Sequence, residues 1–150
     1  MWTNRHNQIV AGLAAAMTAV ATGVRGVVGL VSELDTNETV RSSAKVHHSA
    51  VDLVMTMHTA LNWGWLVFTA FALTGAVLLL RRGTGHFVLL WPSAVIGFPL
   101  VFFSVNLPSA AAAQVSAGAA SAAAAIMLFV AVLTWPEDRI TTTPMGIARQ

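Results

Sequence analysis

The sequence predicts an all-α integral membrane protein, a four-helix bundle that forms a single membrane domain over residues 1–150. Three observations support this prediction. Of the 150 residues, 56% are apolar and only 9% are charged, which no ordinary soluble domain matches. Uncharged runs long enough to cross a hydrocarbon core of about 30 Å recur along the chain. The links between the last three runs are short, as they are in helical bundles.

Four spans follow from the uncharged runs, since about 20 helical residues cross a bilayer. The predicted spans, called spans 1 to 4, are 9–31, 60–80, 87–107 and 109–135. Span 1 is interrupted by Arg25, whereas the other three contain no charged residue. Span 2 stops at the pair Arg81 and Arg82. These boundaries leave one long polar segment, residues 33–59, between spans 1 and 2.

The distribution of basic residues predicts the orientation. With a cytoplasmic N-terminus, the inner side holds five Lys or Arg residues and the outer side two, in agreement with the positive-inside rule. The inner residues are Arg5, Arg81, Arg82, Arg139 and Arg149, and the outer ones are Arg41 and Lys45. Both termini are therefore expected to be cytoplasmic. Trp63 and Trp65 would lie near the outer interface, and Trp2 and Trp135 near the inner one.

The expected location is the bacterial cytoplasmic membrane, in a multi-pass arrangement. The richness in Ala, Val and Gly with little Lys is typical of a GC-rich bacterial genome. Arg5 and His6 precede an apolar run containing Ala19-Val20-Ala21, which resembles a signal-peptide cleavage site. Because the chain retains Met1, we expect this segment to persist as span 1.

The faces of the spans predict which helices touch. Spans 1 and 4 are rich in Gly and Ala at the four-residue spacing that lets helix backbones approach in lipid. Ala15 with Ala19, and Gly118 with Ala122, are examples. Spans 2 and 3 instead carry large side chains such as Phe68 and Leu100, suited to lipid or a partner. We expect spans 1 and 4 to touch, either within one bundle or as part of an interface with other subunits.

Pro92 and Pro99 interrupt span 3, where each removes a helical hydrogen bond and favours a kink. Such kinks are either static bends, in which the backbone adjusts locally, or gates.

Arg25 is the ionisable residue inside a predicted span, and such residues are functional candidates. It lies about 24 Å along the helix from Ile9, in the outer third of span 1. Its guanidinium is expected to reach the outer headgroups or to pair with Glu33, Asp35 or Asp52. The alternative is that it binds an anionic lipid, a substrate or a partner's carboxylate.

Residue types needed for several chemistries are missing. The chain has no cysteine, which excludes disulfides, thiolate metal sites and thiol catalysis. Spans 2 to 4 lack Asp, Glu, Lys, Arg and His, which argues against a self-contained proton relay or a bilayer-buried bis-histidine haem. The bases form no stripe for nucleic acid. With no catalytic constellation, we expect neither an enzyme nor a cofactor.

The outer segment 33–59 is too long for a simple link, so we expect it to be structured. Asp35 to Glu38 has the pattern of a helix start. Apolar residues at helical spacing after Ser43 predict that the second span begins outside the membrane and runs from about Ser43 to Leu80, or follows an interfacial helix.

Histidines in this segment raise a metal-site hypothesis. His48 and Asp52 stand four residues apart, so both could reach one copper or zinc ion. His47, Met55, Met57 and His58 add ligands of the kind copper uses. A pair on a solvated helix is more often an ion pair or a hydrogen bond, so we predict no metal site and keep His48 and Asp52 as weak candidates.

The leading functional hypothesis is a non-catalytic subunit, or an assembly or stabilising factor, of a larger membrane complex with a respiratory, transport or envelope-building role. Its partners would be lipid and larger membrane subunits. The predicted contact residues are Arg25, Glu33, Asp35, Glu38, Arg41, His48, Asp52 and His58.

Two alternatives remain. One is an outer-face metal-handling protein built on the histidines above. The other is a homo-oligomeric channel or carrier, whose candidate polar residues are Asn62, Thr69, Thr74, Gln114, Ser116 and Ser121.

Overall fold

The computed structural model describes residues 4–43, 46–82, 89, 91 and 93–133, and this part of the chain is all-α. Its α-helices are α1 (Asn4–Val31), α2 (Glu33–Ser42), α3 (Val51–Arg82), α4 (Phe98–Asn106) and α5 (Ala111–Leu133). A 3-10 turn at His48–Ala50 leads into α3, and a π-helical turn at Ser93–Gly97 leads into α4. The all-helical class predicted from the composition is confirmed for these residues.

Three of the described helices are long and apolar enough to cross a membrane, over Arg5–Val31, His48–Arg81 and Ala111–Val130. They correspond to predicted spans 1, 2 and 4. Span 3 lies partly outside the described residues, and what is described of it includes a shorter apolar helix over Val95–Asn106. The helices are therefore compatible with a membrane protein. That span 3 forms a further crossing stays a prediction.

The contacts between helices set their relative directions. Gly12 lies against Leu80 and Gly29 against Asn62, so α1 and α3 are antiparallel. We call the end that carries α2 and the start of α3 the α2 end. Helix α1 also packs against α5, as predicted for spans 1 and 4, and a hydrogen bond from Thr18 to the Ala123 carbonyl joins these two helices.

The chain after α3 returns along it. Gly75 lies against Leu89 and Gly64 against Leu100. His58 then contacts the carbonyl of Pro108, just before α5. These contacts run from the last third of α3 back to the α2 end, so α5 starts at that end.

The helices bury seams with steps of three and four residues, the spacing of left-handed helix packing. On α3 the seam includes a buried residue at every seventh position: Val51, His58, Trp65, Ala72 and Leu79. On α5 it consists of Ala113, Ala117, Ala120, Ala124 and Met127. The α1 seam is small and apolar at first, with Ala11 and Ala15. It becomes polar toward the α2 end, with Thr18, Thr22 and Arg25.

Phe68 and Leu100, large side chains predicted to suit lipid or a partner, belong to this core. Trp65 is buried and packs edge-on against Phe68, with ring centroids 5.9 Å apart. Leu100 is buried as well. The prediction for Trp65 concerned its membrane level and not the helix face it occupies, so its burial leaves that prediction untested. Trp63, two residues earlier, is exposed.

The small-residue pairs of the predicted spans 1 and 4 divide between two faces. Ala15 and Ala19 are buried, and so are Ala120 and Ala124. Gly118 and Ala122 face outward, and a β-carbon on Gly118 would meet nothing within 4 Å. Close packing in the described bundle therefore uses one face of α5.

Pro99 lies in the first turn of α4, directly after the π-helical turn. A residue without an N–H is tolerated there, and a π turn shifts the hydrogen-bonding pattern ahead of it. The described backbone thus contains a local adjustment of the kind predicted at this proline. Pro92 lies outside the described residues.

The outer segment is structured, but its helices start elsewhere than predicted. Helix α2 begins at Glu33 and not at Asp35, because Ser32 continues directly from α1 and its hydroxyl donates to the Val28 carbonyl (2.7 Å). Helix α3 begins at Val51 and not near Ser43, since Ser43 and His47 are extended.

Candidate functional site

Polar side chains on one face of α1 join it to its neighbours. The Thr18 hydroxyl lies 2.9 Å from the carbonyl oxygens of both Ala14 and Ala123, and its single proton can serve either. One turn later, the hydroxyls of Thr22 and Thr69 are 2.8 Å apart. Such bonds hold membrane helices together where apolar contact alone provides little driving force.

Arg25 continues this face as a buried cation. Its side chain is 1% exposed, and Nη1 donates to Oδ1 of Asn62 at 3.0 Å. Its buried Nε has no hydrogen-bond partner in the described residues. Asn62 packs beside Gly29, so the guanidinium extends about 6 Å toward the α2 end. The guanidinium is thus enclosed in the bundle, and its bonding partner in the described residues is a neutral amide and not one of the predicted carboxylates of Glu33, Asp35 and Asp52.

Gly29 makes room for this pair. A β-carbon at Gly29 would overlap both Oδ1 of Asn62 and Nη1 of Arg25. Because glycine costs helix stability relative to alanine, its presence here is explained by the close approach of the two polar groups.

His58 and Trp65 join α3 to the returning chain. His58 is buried, and its Nε2 lies 2.8 Å from the Pro108 carbonyl oxygen. A carbonyl only accepts, so Nε2 must carry a proton. Nε1 of Trp65 donates to the Ser104 hydroxyl at 2.9 Å. Both side chains are therefore used inside the fold.

The remaining predicted contact residues lie at the α2 end. Glu33 is half-buried and accepts a hydrogen bond from Thr59 at 2.7 Å. Arg41 donates from Nε to Oδ1 of Asn37 at 2.8 Å. The exposed members are Asp35, Glu38, Arg41, His48 and Asp52. This end thus presents both signs of charge, whereas Arg25 and His58 are enclosed beneath it.

The histidines of the metal hypothesis do not converge in the described part of the chain, where no group of three His, Cys, Asp or Glu side chains could hold an ion. His48 and Asp52 are both exposed. Nδ1 of His47 hydrogen-bonds with the Ser49 hydroxyl at 2.9 Å, and His58 is bonded to Pro108 as described above.

The polar residues of the carrier hypothesis are spread over several faces. Asn62 lies in the core and Thr69 bonds to Thr22, as described. Thr74 is exposed and bonds to its own helix, at the Ala70 carbonyl. Gln114 is exposed, whereas Oγ of Ser121 is buried without a hydrogen-bond partner in the described residues.

Sequence reasoning missed Asn62 as the partner of Arg25, although both residues were singled out. A signal was present, because Thr18, Thr22, Arg25 and Gly29 follow each other in steps of four, three and four residues. Polar residues at that spacing in a membrane helix indicate a seam facing other helices. Ser104 carried no comparable signal.

The fold and its polar seam define a helical protein compatible with membrane insertion. Comparison with known proteins identifies no relative, since no family model, curated protein or solved structure matches the chain.

Proposed function

We propose that this chain is a non-catalytic integral subunit, or an assembly or stabilising factor, of a larger complex in the bacterial cytoplasmic membrane. The observation that carries the proposal is the use of the interior polar groups. Those of Thr18, Thr22, His58, Asn62 and Trp65 are bonded to neighbouring segments of the same chain. Side chains used in this way fix helices against each other, which is what a scaffold needs.

The proposed docking surface is the α2 end. Asp35, Glu38, Arg41, His48 and Asp52 are exposed there on short helical elements that are held against α3. The hydrogen bond between Thr59 and Glu33 fixes the start of α2 to α3. Exposed charges on an ordered support favour specific recognition, because their positions are fixed before the partner arrives.

The proposed orientation places the α2 end outside and both termini in the cytoplasm. The excess of Lys and Arg on the opposite side supports it. The contacts of Leu89, Leu100 and Pro108 along α3 also support it, because they carry the chain back to the α2 end before α5 begins.

The test is purification of the tagged chain from its native membrane in mild detergent, with mass spectrometry of the associated chains. We expect larger subunits at fixed stoichiometry. The double variant Asp35→Lys/Glu38→Lys should release them, because it inverts the charge of the exposed face of α2. The matched control is Arg81→Gln, an exposed charge at the opposite end of α3. A monomer without reproducible partners would contradict the proposal.

A homo-oligomeric channel or carrier is the second candidate. The observation in its favour is Gln114, a polar side chain exposed on α5 on the same side as Gly118. The two are four residues apart, so a second copy could approach closely there. Proteoliposomes containing this chain alone should then pass a solute or ion, and Gln114→Leu should reduce the flux. No flux across a panel of solutes would count against this candidate.

A further inference from the structure

The outward face of α1 carries a regular row of large apolar side chains. We call it the apolar stripe, and it consists of Met17, Val20, Val24, Val27, Val31 and Leu34. All of them are exposed, and the last lies on α2. The steps alternate between three and four residues, as they do along a helix that packs lengthwise against another helix.

The stripe continues past the first apolar helix to Leu34, at the α2 end. Val31 is the last residue of the first helix that is long and apolar enough to cross a membrane, and Leu34 follows it on a helix that is otherwise mostly polar. The two side chains are 80% and 82% exposed. A large apolar side chain that is exposed among polar residues, as Leu34 is, indicates a contact surface.

Val31 and Leu34 also line a cavity of about 640 Å³ between α2 and the start of α3. Glu33, Asn37 and Asp52 line the same cavity. Glu33 accepts its hydrogen bond from the neutral Thr59. Among the residues that the structure describes, no ion pair involves either carboxylate. The stripe therefore ends in a concave surface with an apolar wall and two acidic residues that have no cationic partner among the described residues.

We propose that the apolar stripe and this acidic cavity form one docking surface for a transmembrane helix of a different protein chain, with a Lys or Arg at the end that reaches the cavity. The inference rests on the proposed function and names the chemistry of the partner. An apolar helix face fits the stripe, and a cation complements Glu33 and Asp52.

A second copy of this chain fits the surface less well. Copies inserted in one orientation are parallel, and a two-fold pair formed through the stripe would bring equivalent surfaces together. The carboxylates of Glu33 and Asp52 would then face their own counterparts, and like charges brought together oppose association.

The chain has no cysteine, so single-cysteine variants can map the surface directly. Val24→Cys, Val27→Cys and Leu34→Cys would be labelled with a thiol-reactive benzophenone in native membranes and irradiated. Val67→Cys and Val77→Cys, exposed on α3, are the matched controls. We expect the three stripe positions to give an adduct with one other protein, identified by mass spectrometry, in several-fold greater yield than the controls.

A second arm tests the charge. Glu33→Gln combined with Asp52→Asn should lower the adduct yield at Leu34→Cys several-fold, whereas Arg81→Gln, which removes an exposed charge at the opposite end of α3, should not. Equal yields in both backgrounds would overturn the requirement for a cation. Adducts with lipid alone, with a second copy, or equally at the controls would overturn the docking surface.

The two proposals fail differently. If larger subunits co-purify with the chain but no stripe position reacts with them, the docking surface is wrong and the proposed function stands. If the native complex itself is absent, both are wrong.

Discussion

At the scale of single residues, Gly29 offers the sharpest test of the polar seam. Gly29→Ala should destabilise the protein by about 1–3 kcal/mol, the usual cost of overpacking, because its new β-carbon would displace Asn62 and Arg25. The measurement is thermal unfolding in detergent. Gly118→Ala is the control, since its β-carbon would meet nothing and alanine favours helix. Equal losses in both variants would refute the role given to Gly29.

Arg25 and Asn62 should also be coupled energetically. Asn62→Leu removes the hydrogen-bond acceptor of a buried cation, which should cost about 1.5–3 kcal/mol. The double variant Arg25→Leu/Asn62→Leu should lose less than the sum of the two single variants, since it leaves no buried charge without a partner. A double-mutant cycle in the free energy of unfolding measures this coupling. Strict additivity would show that the two side chains act independently.

At the scale of helices, the contact between α1 and α5 depends on small side chains on one face of α5. Ala120→Leu, at a fully buried position, should cost about 1–3 kcal/mol through overpacking and reduce crosslinking between the two helices. Ala122→Leu, at an exposed position on the same helix, should leave both quantities nearly unchanged. Comparable effects of the two variants would mean that α5 packs through a different face.

The sequence predicts this helix pair because small residues at four-residue spacing have one common use in membranes. It does not predict which small residues face inward, since α5 is nearly uniform in composition over Ala111–Ala125. On α3 the seven-residue repeat from Val51 to Leu79 indicates which face is buried. It does so only if His58 and Trp65 are taken as interior residues.

The sequence predicts residues of the candidate site better than it predicts the contacts that those residues make. Arg25 stands out because a charge in an apolar span is costly. The bond between His58 and Pro108 joins residues 50 positions apart. It depends on how the chain returns along α3, which local periodicity does not encode. Likewise, α2 was placed in the correct segment, but its start depends on Ser32 continuing the backbone of α1.

At the scale of the whole molecule, the number of membrane crossings fixes the sides of the termini. Three crossings place the termini on opposite sides, and four place them on the same side. The described residues contain three long apolar helices and the shorter Val95–Asn106. The contacts of Leu89, Leu100 and Pro108 along α3 favour a return crossing through residues 87–107.

Cysteine accessibility decides between three and four crossings, because the natural chain has no background thiol. We expect Ser49→Cys, exposed at the α2 end, to react with a membrane-impermeant maleimide in intact cells. Thr3→Cys and Gln150→Cys should react only after permeabilisation, since the distribution of Lys and Arg predicts that both termini are cytoplasmic. If Gln150→Cys reacts in intact cells while Thr3→Cys does not, residues 87–107 fail to cross. That outcome would contradict the return of the chain along α3 and the start of α5 at the α2 end.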